Sequence, residues 1–427
     1  MLALALLGAF STGCVSPAAE SRVTPTTTLP RPTAIPATAE PTQTQALLSP
    51  LEGSVSIWTA WEADHVAVVS DLVEIFRQLH PRAQVRLTYY RPAELEAAFK
   101  TAAAAGRGPT ILIAPSSWGP ALLRDGLIVD IGARLLPEQR AAIPELVWSQ
   151  VSNAGAMVGL PLRLRGVVLY RNQSLATQPA TSLEDLLTQA AAASTRYAAE
   201  PVFDLGFDFS GAQLTACGGT LLRAGGGIGF DQQTGECWLG LLARFRQAGR
   251  PVFNSNADRA TFLAGHSPWL IDTTDALPEI VRALGAENVS IDAWPQTQEE
   301  GLKLSGTIWT DNAFFGVGAP AADLEASWAL ASLLTGPEGQ ARLAQSDGSW
   351  FLPVLPTVRP FMPLGAQAQN VLSSATAMPL AYNLSLYVVP LERAVVQVVA
   401  QAADPSEALR RATELIRNDL TQSPPGG

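Results

Sequence analysis

The 427-residue chain is sparing with charge. Asp, Glu, Lys and Arg make up 15% of it, and 38 acids outnumber 28 bases, leaving a net charge of −10. That balance argues against the phosphate backbone of nucleic acid, or an anionic membrane face, as a natural partner. Histidine is scarcer still, and His65, His80 and His266 lie scattered with no partner pattern. No GxSxG, HExxH or P-loop string occurs, so the commonest hydrolytic and nucleotide motifs are missing. GGGIG (Gly225 to Gly229) follows a helical stretch, not a strand, and reads as a loop. Without a CxxC or a nearby His to complete a ligand set, no metal or cofactor is expected. The apolar start LALALLGAF is about half of the roughly 20 residues a membrane-spanning helix needs, so a transmembrane anchor is not expected.

What the chain does have at its start is order of another kind. The apolar run is followed by STGC, and then by a Pro, Thr, Ala and Ser-rich stretch through about Pro50, a composition that buries little and stays extended. Residues 1–14 therefore read as a signal peptide ending at a lipid-accepting Cys14, and residues 15–50 as a stalk. Gly13 suits the cleaved bond. Ser11 stands where a Leu is usual, and no basic residue precedes the apolar run. A lipidated Cys14 would carry enough acyl chain for stable anchoring outside the cell membrane. Two cysteines remain, Cys217 and Cys237. They read either as a disulfide, which over a loop of that size adds on the order of 3 kcal/mol, or as two ordinary buried thiols.

The body after the stalk is longer than one hydrophobic core normally serves, so two domains are expected. Ten tryptophans in so weakly charged a chain favour a small-molecule or sugar site lined by aromatic faces, although Trp is more often core. Val55–Trp61 reads as an apolar strand. Val66, Val69, Leu72, Val73, Phe76 and Leu79 then recur at helical spacing up to Pro81. Ala83–Tyr90 alternates as a second strand, Pro92–Ala105 forms a second helix, and Thr110–Pro115 is a third strand whose continuation, WGPALLRDGLIVDI, reads as another helix. This alternation implies an α/β fold with a parallel sheet covered on both faces. Ligands bind beyond the carboxyl ends of such strands. That rule selects Thr59, Trp61, Glu62 and Asp64, then Ser116, Ser117 and Trp118, with Asp64 and Ser117 equally readable as helix caps. Trp238 and Trp328 sit among apolar neighbours at helical spacing and read as core.

The order of segments resembles the extracellular solute-binding proteins of bacterial ABC importers, particularly the group that carries sugars and oligosaccharides. LHPRAQVRLTY looks like the family's step from first helix to second strand. GLPLRLRGVVLYRNQSL, with Tyr170 and Asn172, looks like the first crossing between lobes. TFLAGHSPWLIDTTDAL looks like a helix end followed by a strand whose tip points into the cleft. SGTIWTDNAFFGVGAP is similar to the return crossing, and ADPSEALRRATELIRNDL resembles the terminal helix. The resemblance runs from Val55 to about Leu420. It implies a two-lobed periplasmic-binding-protein-like (type II) fold that closes on its ligand by hinge bending. Residues 51–163 plus 311–346 would form lobe 1, and 167–308 plus 350–420 lobe 2.

The implied partners are a small-molecule ligand, a sugar by preference, and membrane permease subunits, with the protein acting as a monomer and breaking no bond. The implied ligand contacts from lobe 1 and the return crossing are Trp61, Glu62, Ser117, Trp118, Trp309, Asp311 and Asn312. From lobe 2 they are Asp272, Thr273 and Asp275, with Trp350 and Tyr382 as walls and Arg163 and Arg165 on the first crossing. Rings would stack on Trp while Asp, Asn and Arg bond to hydroxyls. Two alternatives remain: a glycoside hydrolase using paired carboxylates such as Glu62 and Asp272, and a ligand-binding sensor.

Overall fold

The computed structural model describes residues 50–223 and 226–422. The leader, Cys14 and stalk residues 15–49 lie outside the described residues, as does Gly225 at the start of the glycine-rich loop. The first strand, β1 (Glu52–Thr59), runs parallel to β2 (Arg82–Tyr89) on one side and to β3 (Ile111–Pro115) on the other. Between β1 and β2 lies the helix Ala63–Leu79, which buries His65, Val69, Leu72, Val73 and Phe76 on one face, the stripe its 3.6-residue period demands. Its last turn closes when the His80 N–H donates to the Phe76 carbonyl, just before Pro81.

Beyond β3 the sheet stops being parallel. The next strand in space is β11 (Thr307–Phe315), antiparallel to β3, and beside it lies β6 (Leu160–Asn172), antiparallel to β11. The parallel sheet read from the first strands holds for β1–β3, and beyond them the sheet is mixed. The local rhythm of strand and helix fixes direction only within βαβ units. β6 and β11 are not such units: one carries the chain out of this half of the molecule and the other returns it.

β6 does this within one unbroken strand. Leu160–Gly166 pairs with β11, Val167–Arg171 with β9 (Trp269–Thr273), and Leu169–Asn172 with β10 (Val289–Asp292). At the changeover the backbones touch. A Cβ on Gly166 would lie 2.5 Å from the Thr307 carbonyl oxygen, and one on Gly306 would lie 1.8 Å from that of Val167. Only glycine permits this approach. Small additions complete the sheets: the hairpin β4 (Ser152–Asn153) and β5 (Ala156–Met157), the parallel pair β7 (Val202–Asp204) and β8 (Arg250–Val252), and β12 (Thr376–Ala377) beside the start of β11.

The segment after β3 also departs from expectation. A single turn, Ser116–Trp118, leads into a short helix, Gly119–Arg124, and the chain then turns at Gly126 (φ 66°). Ile128 bridges Gly316, so GLIVDI is edge structure and not helix.

Apolar packing forms two clusters. One surrounds β1–β3 and continues across β6 to Leu277, Ile280 and Ile291. The other gathers Trp238, Leu242 and Phe245 with Tyr387, Val395, Leu409 and Ile416 from the long helices Ser385–Gln401 and Pro405–Gln422. The cores thus do not split where the chain crosses; the first continues through it. Trp238 is core as expected, while Trp328 is half-buried and tilts against Phe315. Of the two readings for Cys217 and Cys237, the structure takes the disulfide, joining the end of the helix Gln213–Ala216 to the helix Gln232–Ala243.

Candidate functional site

The strand tips selected by sequence do converge. Trp61, Glu62, Trp118, Arg163, Arg165 and Asp311 line one cavity of about 180 Å³, whose apolar wall is Pro92, Leu95, Ile113, Ala114 and Pro115. β1 ends at Thr59, whose hydroxyl accepts from the Trp61 N–H at 3.1 Å and so fixes the turn that aims the indole. The register between β6 and β11 shifts at Asp311/Asn312. A bulge of this kind re-aims side chains, and here it lies where Arg163 and Asp311 face each other.

The charges at this point form one network. Arg163 donates to Glu62 at 3.3 Å and to Asp275 at 3.3 Å. Arg165 donates to Asp311 at 3.2 Å and to Asp275. Two arginines on the outgoing strand thus hold an acid from the tip of β1, one from the return strand and one beyond the tip of β9. Arg163 is 7% exposed and Asp311 3%, so these charges are tolerable only as partners. The Glu62 carboxyl is held at about 2, first by its hydrogen bond with His65 and then by the Arg163 charge, although burial opposes them. Burial alone would lower Arg165; Asp311 and Asp275 more than offset it, and its pKa rises. Arg165 also lies over the Trp309 ring at 5.7 Å. The Nε–H groups of both arginines are buried with no acceptor among the described residues.

A second cavity of about 160 Å³ opens on the β9 side. Asp272 and Thr273 line it, and so do Asp204, Asp208, Asn254, Asn256 and Asp258, which the sequence reading did not single out. Asp204 ends the three-residue strand β7, too short to show alternation. Its carboxylate accepts backbone N–H groups of Gly206, Asn254 and Ser255 at 2.7, 3.0 and 2.8 Å. Asp272 accepts from Nε and one Nη of Arg259, at 2.5 and 2.7 Å. Phe209 supplies an aromatic floor, stacked on Trp294 with centroids 5.2 Å apart.

The remaining sequence candidates lie elsewhere. Asn312 is 0% exposed; its amide donates to the Gln150 carbonyl and its oxygen accepts from Thr310, so it braces the return strand inside the core and does not reach a cavity. The expectation that Asn312 faces the cleft is corrected on that ground: side chains alternate along β11, so Trp309 and Asp311 share the face of Arg165, while Thr310 and Asn312 share the other. Ser117 is exposed on the turn after β3. Trp309 sits beneath Arg165, Trp350 packs against the first core cluster, and Tyr382 carries the Arg124 guanidinium 4.6 Å above its ring. None of these four lines either cavity. Among the described residues no group of three or more His, Cys, Asp or Glu is arranged to hold a metal ion.

Sheet halves joined by crossing strands, with polar and aromatic side chains gathered at the crossing, define a two-lobed binding protein of type II. The chain belongs to the bacterial extracellular solute-binding protein family, whose model matches residues 71–371. It is similar to the cyclic α-maltosyl-1,6-maltose binding protein of Arthrobacter globiformis, 15% identical, over 87% of this chain and 100% of that one, with a TM-score of 0.75. The extracellular solute-binding protein of Staphylococcus aureus, solved in complex with maltose, matches over 87% and 99% with 14% identity and a TM-score of 0.74. A maltotriose-binding protein of Pyrococcus abyssi is 24% identical over 134 residues, 31% of this chain and 29% of that protein's length. Among the described residues no helix is long and apolar enough to cross a membrane.

Proposed function

We propose that this protein is the substrate-binding component of an ABC importer, capturing an extracellular sugar or oligosaccharide between its lobes and presenting it to permease subunits. The observation that carries the reading is the Arg163 and Arg165 pair, which engages acids from β1, the return strand and the tip of β9 at one point. A solute reaching this point would exchange bonds with groups on both sides of the crossing. Only such differential contacts shift an open form toward a closed one. Trp118 offers an apolar face for a sugar ring, while Glu62, Asp272 and Thr273 offer directional bonds to hydroxyls. The maltose and maltotriose ligands of the similar proteins favour the same class. No bond need be broken, so the protein is not read as an enzyme.

The lobes are assigned as 51–163 plus 311–346, and 167–308 plus 350–420, with the glycines Gly166 and Gly306 at the hinge. Cys14, following an apolar leader and Gly13, is assigned as the lipid anchor, and the protein as a monomer. Calorimetry of the protein against mono- and oligosaccharides tests the main reading. Saturable binding of a sugar, lost in Arg163→Ala, is expected. Consumption of a glycoside that stops in Glu62→Ala or Asp272→Ala would make the protein a hydrolase instead. Mass spectrometry of the native protein should find diacylglycerol on Cys14; an intact unmodified leader would remove the anchor.

A further inference from the structure

The β9-side cavity is charged in a way that neutral hydroxyls do not require. Four carboxylates, Asp204, Asp208, Asp258 and Asp272, border it, and among the described residues the only ion pairing of these four is that of Asp272 with Arg259. Asp204 already accepts three backbone N–H groups. Asp258 is different. It is 3% exposed, one oxygen accepts only the N–H of its neighbour Arg259 at 2.7 Å, and its other oxygen has no partner among the described residues. A carboxylate so deeply placed, bordering a cavity and lacking a cation, is costly until one arrives.

We propose that the bound solute carries a protonated amine, and that this group sits in the β9-side cavity between Asp204, Asp208 and Asp258. The proposal rests on the sugar reading above and narrows it to amino-substituted sugars. The cavity's 160 Å³ is about five water volumes, enough for an ammonium group and the carbon that bears it. Phe209 beneath it adds an aromatic face that favours cations. The fields around Asp258 agree. Burial, then Asp204 and Asp272, push its carboxyl up to about 7, and burial, then Asp204 and Glu392, raise Asp208. Arg259 on the same helix is already engaged by Asp272 and lies 3.9 Å from Glu279. An incoming ammonium would relieve this repulsion.

The test is calorimetric titration of the full chain at pH 7 with β-1,4-diglucosamine, with cellobiose as its neutral counterpart, with maltose and with spermidine. Diglucosamine is expected to bind about tenfold more tightly than cellobiose, the worth of one charge-assisted bond over a neutral one. That preference should shrink in Asp258→Asn. Because the variant could misfold, the preference is also measured in the unaltered protein, where it must fall as salt is raised from 20 to 500 mM, concentrations of about 20 and 5 Å screening length. Equal or tighter binding of cellobiose or maltose overturns the inference and leaves the sugar reading standing. Spermidine binding with no sugar bound supports the amine site and overturns the sugar reading. Binding of neither diglucosamine nor spermidine overturns the inference.

Discussion

The indole N–H of Trp61 donates to Asp311 at 2.9 Å, a buried bond between residues 250 positions apart. It ties the tip of the first strand to the return crossing, and Asp311 in turn faces both crossing arginines. One carboxylate therefore accepts from both Trp61 and Arg165 and lies 3.9 Å from the Arg163 guanidinium. It pairs with Arg163 beside the register shift between β6 and β11, and is buried there while still at the cavity wall.

Replacing Trp61 with Phe keeps an aromatic ring near its neighbour Phe351 but removes the donor and part of the ring volume. A lost hydrogen bond to a charged group costs about 1.5–3 kcal/mol. Denaturant unfolding should show that loss in the midpoint with an unchanged m-value. Asp311→Ala should cost more, about 3–5 kcal/mol, because it leaves two arginine charges short of a partner.

Asp275 is the one acid beyond the tip of β9 that both crossing arginines share. Asp275→Ala and Arg165→Ala should each weaken solute binding, and together by less than the sum. The coupling energy expected from a double-mutant cycle is about 0.5–3 kcal/mol. Additive effects would mean that the pair acts separately.

Gly166 stands where β6 passes from one sheet to the other against Thr307 and Leu372. Gly166→Ala forces the crossing strands apart. Overpacking of this kind costs about 1–3 kcal/mol. Small-angle scattering with and without saturating sugar should show a reduced difference between the two forms in the variant. An unchanged difference would locate the hinge elsewhere.

Reduction of Cys217–Cys237 frees the loop between the helices Gln213–Ala216 and Gln232–Ala243. The Cys217→Ser, Cys237→Ser variant should lose about 2–4 kcal/mol of stability. Thermal melts should match between the variant and the reduced wild type.

Stability should respond to pH in two windows of opposite sense. Asp258 is raised from 3.8 to about 7, so between those values the folded chain keeps a proton that the unfolded chain has released, and stability falls as pH rises from about 4 to 7. Asp258→Asn removes this slope and should gain on the order of 1–3 kcal/mol relative to wild type at pH 8 but not at pH 4. Glu62, lowered from 4.5 to about 2, acts the other way: its contribution is complete above about 4.5 and is lost as pH falls toward 2. In Glu62→Gln that acid loss should be smaller, as measured by unfolding between pH 2 and 5.

Local pattern determined much of this molecule. The helical stripe from Val66 to Leu79 and the apolar runs of β1 and β3 emerge within three residues of their observed bounds, because burial on one face or both imposes a period on short segments. The tips after β1 and β3 yielded Trp61, Glu62 and Trp118, since a sheet rule tied to strand ends needs only local information. Strand direction beyond β3 was not legible: β6 and β11 meet only after a long excursion of the chain, and nothing near either records it. The same limit hid Asp204 and Asp258. Their role arises from the meeting of β7, β9 and the helix Ala257–Leu263 around one cavity. Asn312 shows the converse, a polar residue in the right segment that the alternation of β11 leaves facing the core. Sequence determined the segments and their faces; only tertiary packing decided which charges were left without a partner, because desolvation and pairing depend on neighbours far away in the chain.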